Sequence, residues 1–281
     1  MISFDFAYFK PGTVEEAVRL FGREEGKGNK PLYYSGGTEI ISAARLNQVR
    51  PGAVIDIKGI PECQGMHIRE GDGQLVIGAA VPLTAVAESP FFPLLGDTAR
   101  RVADHTNRNK ITIGGNLCGQ FFYREALLPF LLTDSQVVLA GPGGYRTVPV
   151  QLAFNGGTRL ARGELLVQII SDCRYFHLPY VTVKKTKMEE IDYPLVRVVA
   201  LKTETGIRAA FSGVSAVPFR SLRVEKVLND RTLPLEQRIE RVILSWPVPI
   251  LDDVLGSAAY RTFVLRNTLW DVMNALEGGS A

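Results

Sequence analysis

The chain reads Thr112-Ile113-Gly114-Gly115-Asn116-Leu117 near its middle, and well upstream of that Ser35-Gly36-Gly37-Thr38-Glu39. Each stretch sets two adjacent glycines beside hydroxyl and amide or carboxylate side chains. A glycine pair lets the backbone take positive φ and leaves its N–H groups unshielded, which suits a loop that wraps an anion. Either pair alone also fits an ordinary turn. The surroundings give the two pairs more meaning. Residues 31–34 read as a short strand feeding the first pair, residues 40–46 as a helix leaving it, and residues 54–57 as a second strand. Thr13 with Glu16 three residues on is a capping box, opening a helix whose apolar stripe is Val14, Ala17, Val18 and Phe21. Residues 1–57 thus form a small βαβ-like unit.

A second unit is expected over residues 58–171. Residues 75–77 and 79–81 are strand-like, and residues 93–104 read as a helix. The polar stretch 105–110 is a loop leading into the second glycine pair. Residues 123–133 read as a helix interrupted near Pro129, and residues 136–140 and 145–150 as a hairpin around Gly141-Pro142-Gly143-Gly144. Residues 165–170 are an apolar strand. The remainder, 172–281, reads as a separate α+β unit, with strands at 180–184, 196–202 and 207–214. Its terminal helix carries the stripe Val264, Leu265, Thr268, Leu269, Val272 and Leu276, with Phe263, Trp270 and Met273 assigned to the core.

Composition narrows the function classes. The chain is 46% hydrophobic and 22% charged with a net charge of +3, ordinary for a globular protein of two domains. Its tightest basic group, Lys184, Lys185 and Lys187, has no aromatic interleaving, so nucleic acid is not an expected partner. No run reaches the ~18 apolar residues of a membrane span, and the opening Met1-Ile2-Ser3-Phe4-Asp5 is not a signal peptide. A cytoplasmic location with three free thiols, Cys63, Cys118 and Cys173, follows as the expectation. These cysteines lack iron–sulfur or zinc spacing. His67, His105 and His177 are scattered and read as surface residues, so no acid–base or nucleophile set stands out.

A phosphate is the ligand group that such glycine loops suit. A Gly-x-Gly-x-x-Gly fingerprint is missing, and Gly141-Pro142-Gly143-Gly144 has the wrong spacing for one. The paired loops offer another route. Ser35, Gly36, Gly37 and Thr38 can present amides and a hydroxyl to a phosphate, and Thr112, Gly114, Gly115 and Asn116 can close on the same ligand from the other domain.

Further blocks stand in order along the chain: Phe6-Ala7-Tyr8-Phe9-Lys10-Pro11, Tyr33-Tyr34 before the first glycine pair, Val54-Ile55-Asp56-Ile57, Leu75-Val76-Ile77-Gly78-Ala79, Asn107 to Gly119, Ile191-Asp192-Tyr193-Pro194, and Ala258-Ala259-Tyr260-Arg261. Together they resemble the FAD-binding subunits of the molybdenum hydroxylases, a family that includes xanthine, carbon monoxide and nicotinate dehydrogenases. The likeness covers nearly the whole chain. It implies an α+β fold: a two-part FAD-binding domain of the carbon monoxide dehydrogenase flavoprotein and vanillyl alcohol oxidase type, then a C-terminal α+β domain. It implies FAD as cofactor, with a molybdopterin-binding large subunit and a 2Fe-2S small subunit as partners and NAD+ as one candidate acceptor. Residue by residue, it places Tyr33, Tyr34, Ser35, Gly36, Gly37, Thr38 and Glu39 in the first cofactor loop and Thr112, Gly114, Gly115 and Asn116 in the second, with Cys118 adjoining. Val102, Ala103 and Asn107 fall on the adenosine side. Leu166, Lys184 and Tyr193 fall near the flavin, although core packing for Leu166 and Tyr193, or solvation for Lys184, competes with that role.

The sequence departs from the family pattern after the second loop. Many relatives carry small polar residues and an Asp there, whereas Gly119-Gln120-Phe121-Phe122-Tyr123-Arg124-Glu125 stands here, with Glu125 as the stand-in for a ribityl- or ribose-binding carboxylate. Xanthine or another N-heterocycle is the substrate class this resemblance suggests for the complex. A self-contained flavin oxidoreductase of the vanillyl alcohol oxidase type and a flavin-free scaffold subunit are the alternatives.

Overall fold

In the computed structural model residues 2–121 and 123–278 are described, so Phe122 lies outside them. The first sheet is built from β1 (Ala7–Phe9), β2 (Pro31–Tyr34) and β3 (Ala53–Asp56), linked by α1 (Val14–Gly26) and α2 (Thr38–Arg45). β3 runs parallel between the other two. It is buried along its whole length, as a central parallel strand must be. The capping box forms: the Thr13 hydroxyl accepts from the Glu16 amide at 3.2 Å, while the Glu16 carboxylate reaches back to the Gly12 amide at 2.8 Å. β1 escaped the sequence reading because three half-exposed residues carry no periodic signal.

Next come β4 (Met66–Arg69), β5 (Gln74–Gly78), α3 (Leu83–Glu88), α4 (Pro93–Arg100), α5 (His105–Arg108), α6 (Ile113–Cys118), α7 (Leu127–Leu132), β6 (Gln136–Gly141), β7 (Gly144–Pro149), α8 (Val150–Phe154) and β8 (Leu165–Asp172). Their five strands make an antiparallel sheet in the order β4-β5-β8-β6-β7. Several expectations are corrected here. Residues 79–81 turn instead of forming a strand, because their amides bond Val167, Cys63 and Gly78 in succession. The helix expected over 93–104 ends at Arg100, and Ala103 takes a positive φ of 51°. The polar stretch from His105 is a helical turn capped by Asp104, whose carboxylate accepts from the Asn107 amide at 2.9 Å. Of residues 123–133 only α7 is helical. Pro129 sits in its first turn, where a missing N–H removes no helical bond.

The third sheet, β9 (Tyr180–Thr186), β10 (Pro194–Thr203), β11 (Gly206–Ser212) and β12 (Phe219–Arg220), is antiparallel in the order β12-β11-β10-β9. Its own core forms with α9 (Leu222–Leu228), α10 (Leu235–Leu244) and α11 (Ala258–Glu277). Met273 is in that core, but Phe263 and Trp270 are exposed, at 56% and 44%, because they lie on the opposite face of α11 from Leu265, Leu269 and Val272. This sheet docks on the second unit through polar links: Tyr180 donates to Asp97 at 2.7 Å, and Arg208 and Arg220 each pair with Asp134 at 2.7 Å. Among the described residues, no helix is long and apolar enough to cross a membrane.

Candidate functional site

The first glycine pair is the hinge between β2 and α2. Gly37, the residue before α2, has a φ of 69°, in the left-handed region, and lies flush against the Tyr34 ring, so any Cβ there would enter the ring. No side chain caps α2. Among the described residues, the amides of Gly36, Gly37, Thr38 and Glu39 have no protein acceptor, and the Ser35 hydroxyl is buried without a partner. An uncapped helix start carries partial positive charge and unpaired donors, which is the chemistry of an anion site. The donor set fits the diphosphate of FAD.

The second pair works differently from expectation. Thr112 is the N-cap of α6: its hydroxyl accepts from the Gly115 amide at 3.2 Å and its carbonyl from Asn116 at 2.8 Å. The amides of Ile113 and Gly114 bond Val81 and Ala79. All four amides are therefore satisfied within the protein, which corrects their reading as free donors. Gly114 is required by packing, since a Cβ would meet the Ala79 carbonyl at 2.7 Å. Gly115 is open apart from Thr112 Oγ1 at 2.8 Å. The second loop thus supplies a close wall with one bare Cα rather than a set of donors.

The two loops meet directly. Gly36 lies against the Lys110 carbonyl so tightly that a Cβ has no room. Glu39 Oε1 accepts from the Gln120 and Phe121 amides at 2.5 and 3.2 Å, tying the start of α2 to the chain after α6. Asn116 extends the wall by accepting from the Ala126 amide at 3.2 Å.

Beneath the first loop lies a group the sequence reading did not single out. Buried Asp56, at the end of β3, accepts from Tyr8 at 2.5 Å and from Lys58 Nζ at 2.7 Å, and Lys58 also donates to the Ser35 carbonyl at 3.0 Å. Burial alone would raise the Asp56 pKa, but the bonds from Lys58 and Tyr8 hold it below the usual carboxylate range. The hydrogen bond to Asp56, then burial, pushes the Tyr8 hydroxyl up to about 12. The sequence signal was an acidic residue closing an otherwise apolar strand.

The remaining expected residues divide into two groups. Glu125 and Lys184 meet as a buried ion pair, Oε1 to Nζ at 3.0 Å, and Lys184 also donates to the Arg101 carbonyl at 2.8 Å. Arg197 Nε stands 3.7 Å from Glu125 Oε2. Burial pulls the pKa of Lys184 down, with Glu125 opposing it. Glu125 Oε2 and Arg197 Nε and Nη1 are buried without hydrogen-bond partners. Tyr193 is half-exposed and stacks on Tyr123 at 4.4 Å, with Phe121 5.9 Å away on a tilt. The others are engaged elsewhere. Leu166 is in the core, Tyr33 donates to the Gly163 carbonyl and stacks on Phe21, and Asn107 turns back onto Asp104. The carbonyls of Val102 and Ala103 both accept from Arg108. Burial pushes the Cys118 thiol up to about 12, which makes it an inert packing group at neutral pH.

Comparisons with known proteins point to one family. The family described as "FAD binding domain in molybdopterin dehydrogenase" matches residues 4–170. The carbon monoxide dehydrogenase medium chain of Hydrogenophaga pseudoflava is 34% identical over 175 residues, 60% of this chain and 59% of that one. The nicotinate dehydrogenase FAD-subunit of Eubacterium barkeri is 26% identical over 98% of both chains. The xanthine dehydrogenase FAD-binding subunit of Escherichia coli O157:H7 is 25% identical over 92% of this chain and 89% of that one. A solved carbon monoxide dehydrogenase from Hydrogenophaga pseudoflava, lacking the Mo-pyranopterin moiety, superposes with a TM-score of 0.88 at 27% identity, covering 99% of each chain. The chain belongs to the family of FAD-binding domains of molybdopterin dehydrogenases.

Proposed function

We propose that this chain is the FAD-carrying electron-transfer subunit of a molybdopterin-dependent hydroxylase or dehydrogenase. The uncapped start of α2 above the unpartnered Ser35 hydroxyl, closed off by the loop from Thr112 to Asn116, is the observation that carries this reading. Ser35, Gly36, Gly37 and Thr38 hold the diphosphate, whose charge the α2 dipole offsets. Val102, Ala103 and Asn107 border the adenosine, and Leu166, Lys184 and Tyr193 the flavin. Glu125 Oε2 is the buried acceptor for a ribityl or ribose hydroxyl. Bound FAD supplies the two-electron chemistry, and the protein orients it and tunes its surroundings. Residues 1–171 bind the cofactor, and residues 172–281 bring Lys184 and Tyr193 to it.

Substrate oxidation belongs to a molybdopterin-binding large subunit, from which a 2Fe-2S small subunit delivers electrons to this chain, with NAD+ or another acceptor as their destination. Names such as "medium chain" and "FAD-binding subunit" among the relatives support a multi-subunit setting, and xanthine or another N-heterocycle is the favoured substrate of the complex. The cytoplasm is the proposed location. The test is anaerobic: candidate heterocycles are added to the FAD-loaded chain alone and to the native complex, and flavin bleaching is followed. Bleaching in the complex alone is expected. Bleaching of the isolated chain at the rate of the complex would overturn the subunit reading in favour of a self-contained oxidoreductase.

A further inference from the structure

We infer that Lys58 is a positioning residue for the cofactor loop, acting through the Ser35–Gly36 peptide rather than by touching the phosphate. This rests on the FAD assignment and deepens it. Lys58 Nζ donates to the Ser35 carbonyl at 3.0 Å and to Asp56 Oδ2 at 2.7 Å, and lies 4.5 Å from the centre of the Tyr34 ring. Asp56 is fixed in turn by the Tyr8 hydroxyl at 2.5 Å and by the Lys58 amide at 2.9 Å. The ammonium is therefore held at a fixed point although its side chain is partly exposed.

The consequence follows from peptide geometry. The chain has no cis peptide bonds among the described residues, and in a trans peptide the C=O and N–H point in opposite directions. With the Ser35 carbonyl held on the Lys58 side, the Gly36 N–H is directed the other way. It joins the unpartnered amides of Gly37, Thr38 and Glu39 at the start of α2, which gives successive donors converging on one anion. A cation on the carbonyl oxygen also polarises the peptide and strengthens its N–H as a donor. Without Lys58 the Ser35 carbonyl loses the hydrogen bond that fixes its direction, and the orientation of the Ser35–Gly36 peptide is held less firmly. Tyr8 and Asp56 form the second tier of the same device.

The experiment is FAD titration into the apo form of the full chain, for wild type, Lys58→Met, Lys58→Arg and Tyr8→Phe, at low and high salt. Lys58→Met is expected to weaken FAD binding about tenfold, the size of one charge-assisted hydrogen bond. Lys58→Met also takes the cation from buried Asp56, so the apo midpoint should fall modestly while the chain stays folded at the titration temperature; Lys58→Arg should restore most of the affinity, and Tyr8→Phe should cause a smaller loss. The deficit should persist at high salt. Wild-type affinity in Lys58→Met would overturn the inference. So would a loss matched by unfolding of the apo chain and not rescued by Arg, which marks a merely structural residue. A deficit that vanishes in high salt would instead mean direct charge attraction. Failure of the wild-type chain to bind FAD at all sinks the cofactor assignment beneath it, and so is told apart from failure of Lys58 alone.

Discussion

Glu125→Gln should destabilise this protein more than any other single substitution in the seam between the second and third sheets. Glu125 pairs with Lys184 at 3.0 Å and faces Arg197 at 3.7 Å, and the three side chains are at most 5% exposed. Removing the anion strands two buried cations that water does not screen. Breaking such a pair by deleting one partner costs about 3–5 kcal/mol. For a chain of this size that corresponds to a fall of roughly 6–20 °C in melting temperature, at about 2–4 °C per kcal/mol. Lys184→Met should cost less, because Glu125 keeps Arg197 nearby. The double variant Glu125→Gln/Lys184→Met should recover only the part of the loss due to the stranded ammonium, since Arg197 stays buried without its anion. Thermal and urea denaturation of the apo forms, followed by circular dichroism, measures all three. A Glu125→Gln loss under about 1 kcal/mol, or simple additivity in the double variant, would refute the reasoning.

The glycines should separate by function. Gly37→Ala should destabilise the apo chain by at least about 1–2 kcal/mol, from left-handed strain alone, whereas Gly115→Val should keep the fold at the cost of the Thr112 cap, about 1 kcal/mol, and abolish FAD retention, read as flavin released on gel filtration. Retention at wild-type affinity would reduce the second loop to a turn. For pH, the depressed pKa of Asp56 contributes stability that is present above the unfolded value near ~3.9 and lost as pH falls through the folded value. The raised pKa of Tyr8 contributes stability that is complete below ~10 and lost as pH rises through about 12. FAD affinity should accordingly show no transition from this pair between roughly pH 5 and pH 9, and a titration step within that window would contradict it.

The parts legible in the sequence were those with local signals. The Thr13 capping box, the hairpin at residues 141–144 and the strand before the first glycine pair are all written in contiguous residues. What escaped depends on contacts between distant segments. Residues 79–81 look like a strand but bond three separate partners. The glycines at 36 and 114 read as donors or turns, yet the structure shows why no side chain fits: the Lys110 carbonyl and Ala79 approach them from elsewhere in the chain. The Tyr8–Asp56–Lys58 group joins residues nearly fifty positions apart. Glu125 and Lys184 were each singled out, but their pairing with each other could not be read from spacing. Phe263 and Trp270 show the converse limit, because large aromatics beside an apolar stripe suggest a core that α11 does not give them.

The most direct measurement is calorimetric titration of FAD into the apo chain, alongside a Ser35→Ala/Gly115→Val variant whose fold is verified by its melting. The account predicts saturable binding of one FAD per chain, with flavin absorbance co-eluting on gel filtration, and binding lost in the variant. A correctly folded wild-type chain that takes up no FAD, or a variant that binds as tightly as wild type, would contradict it.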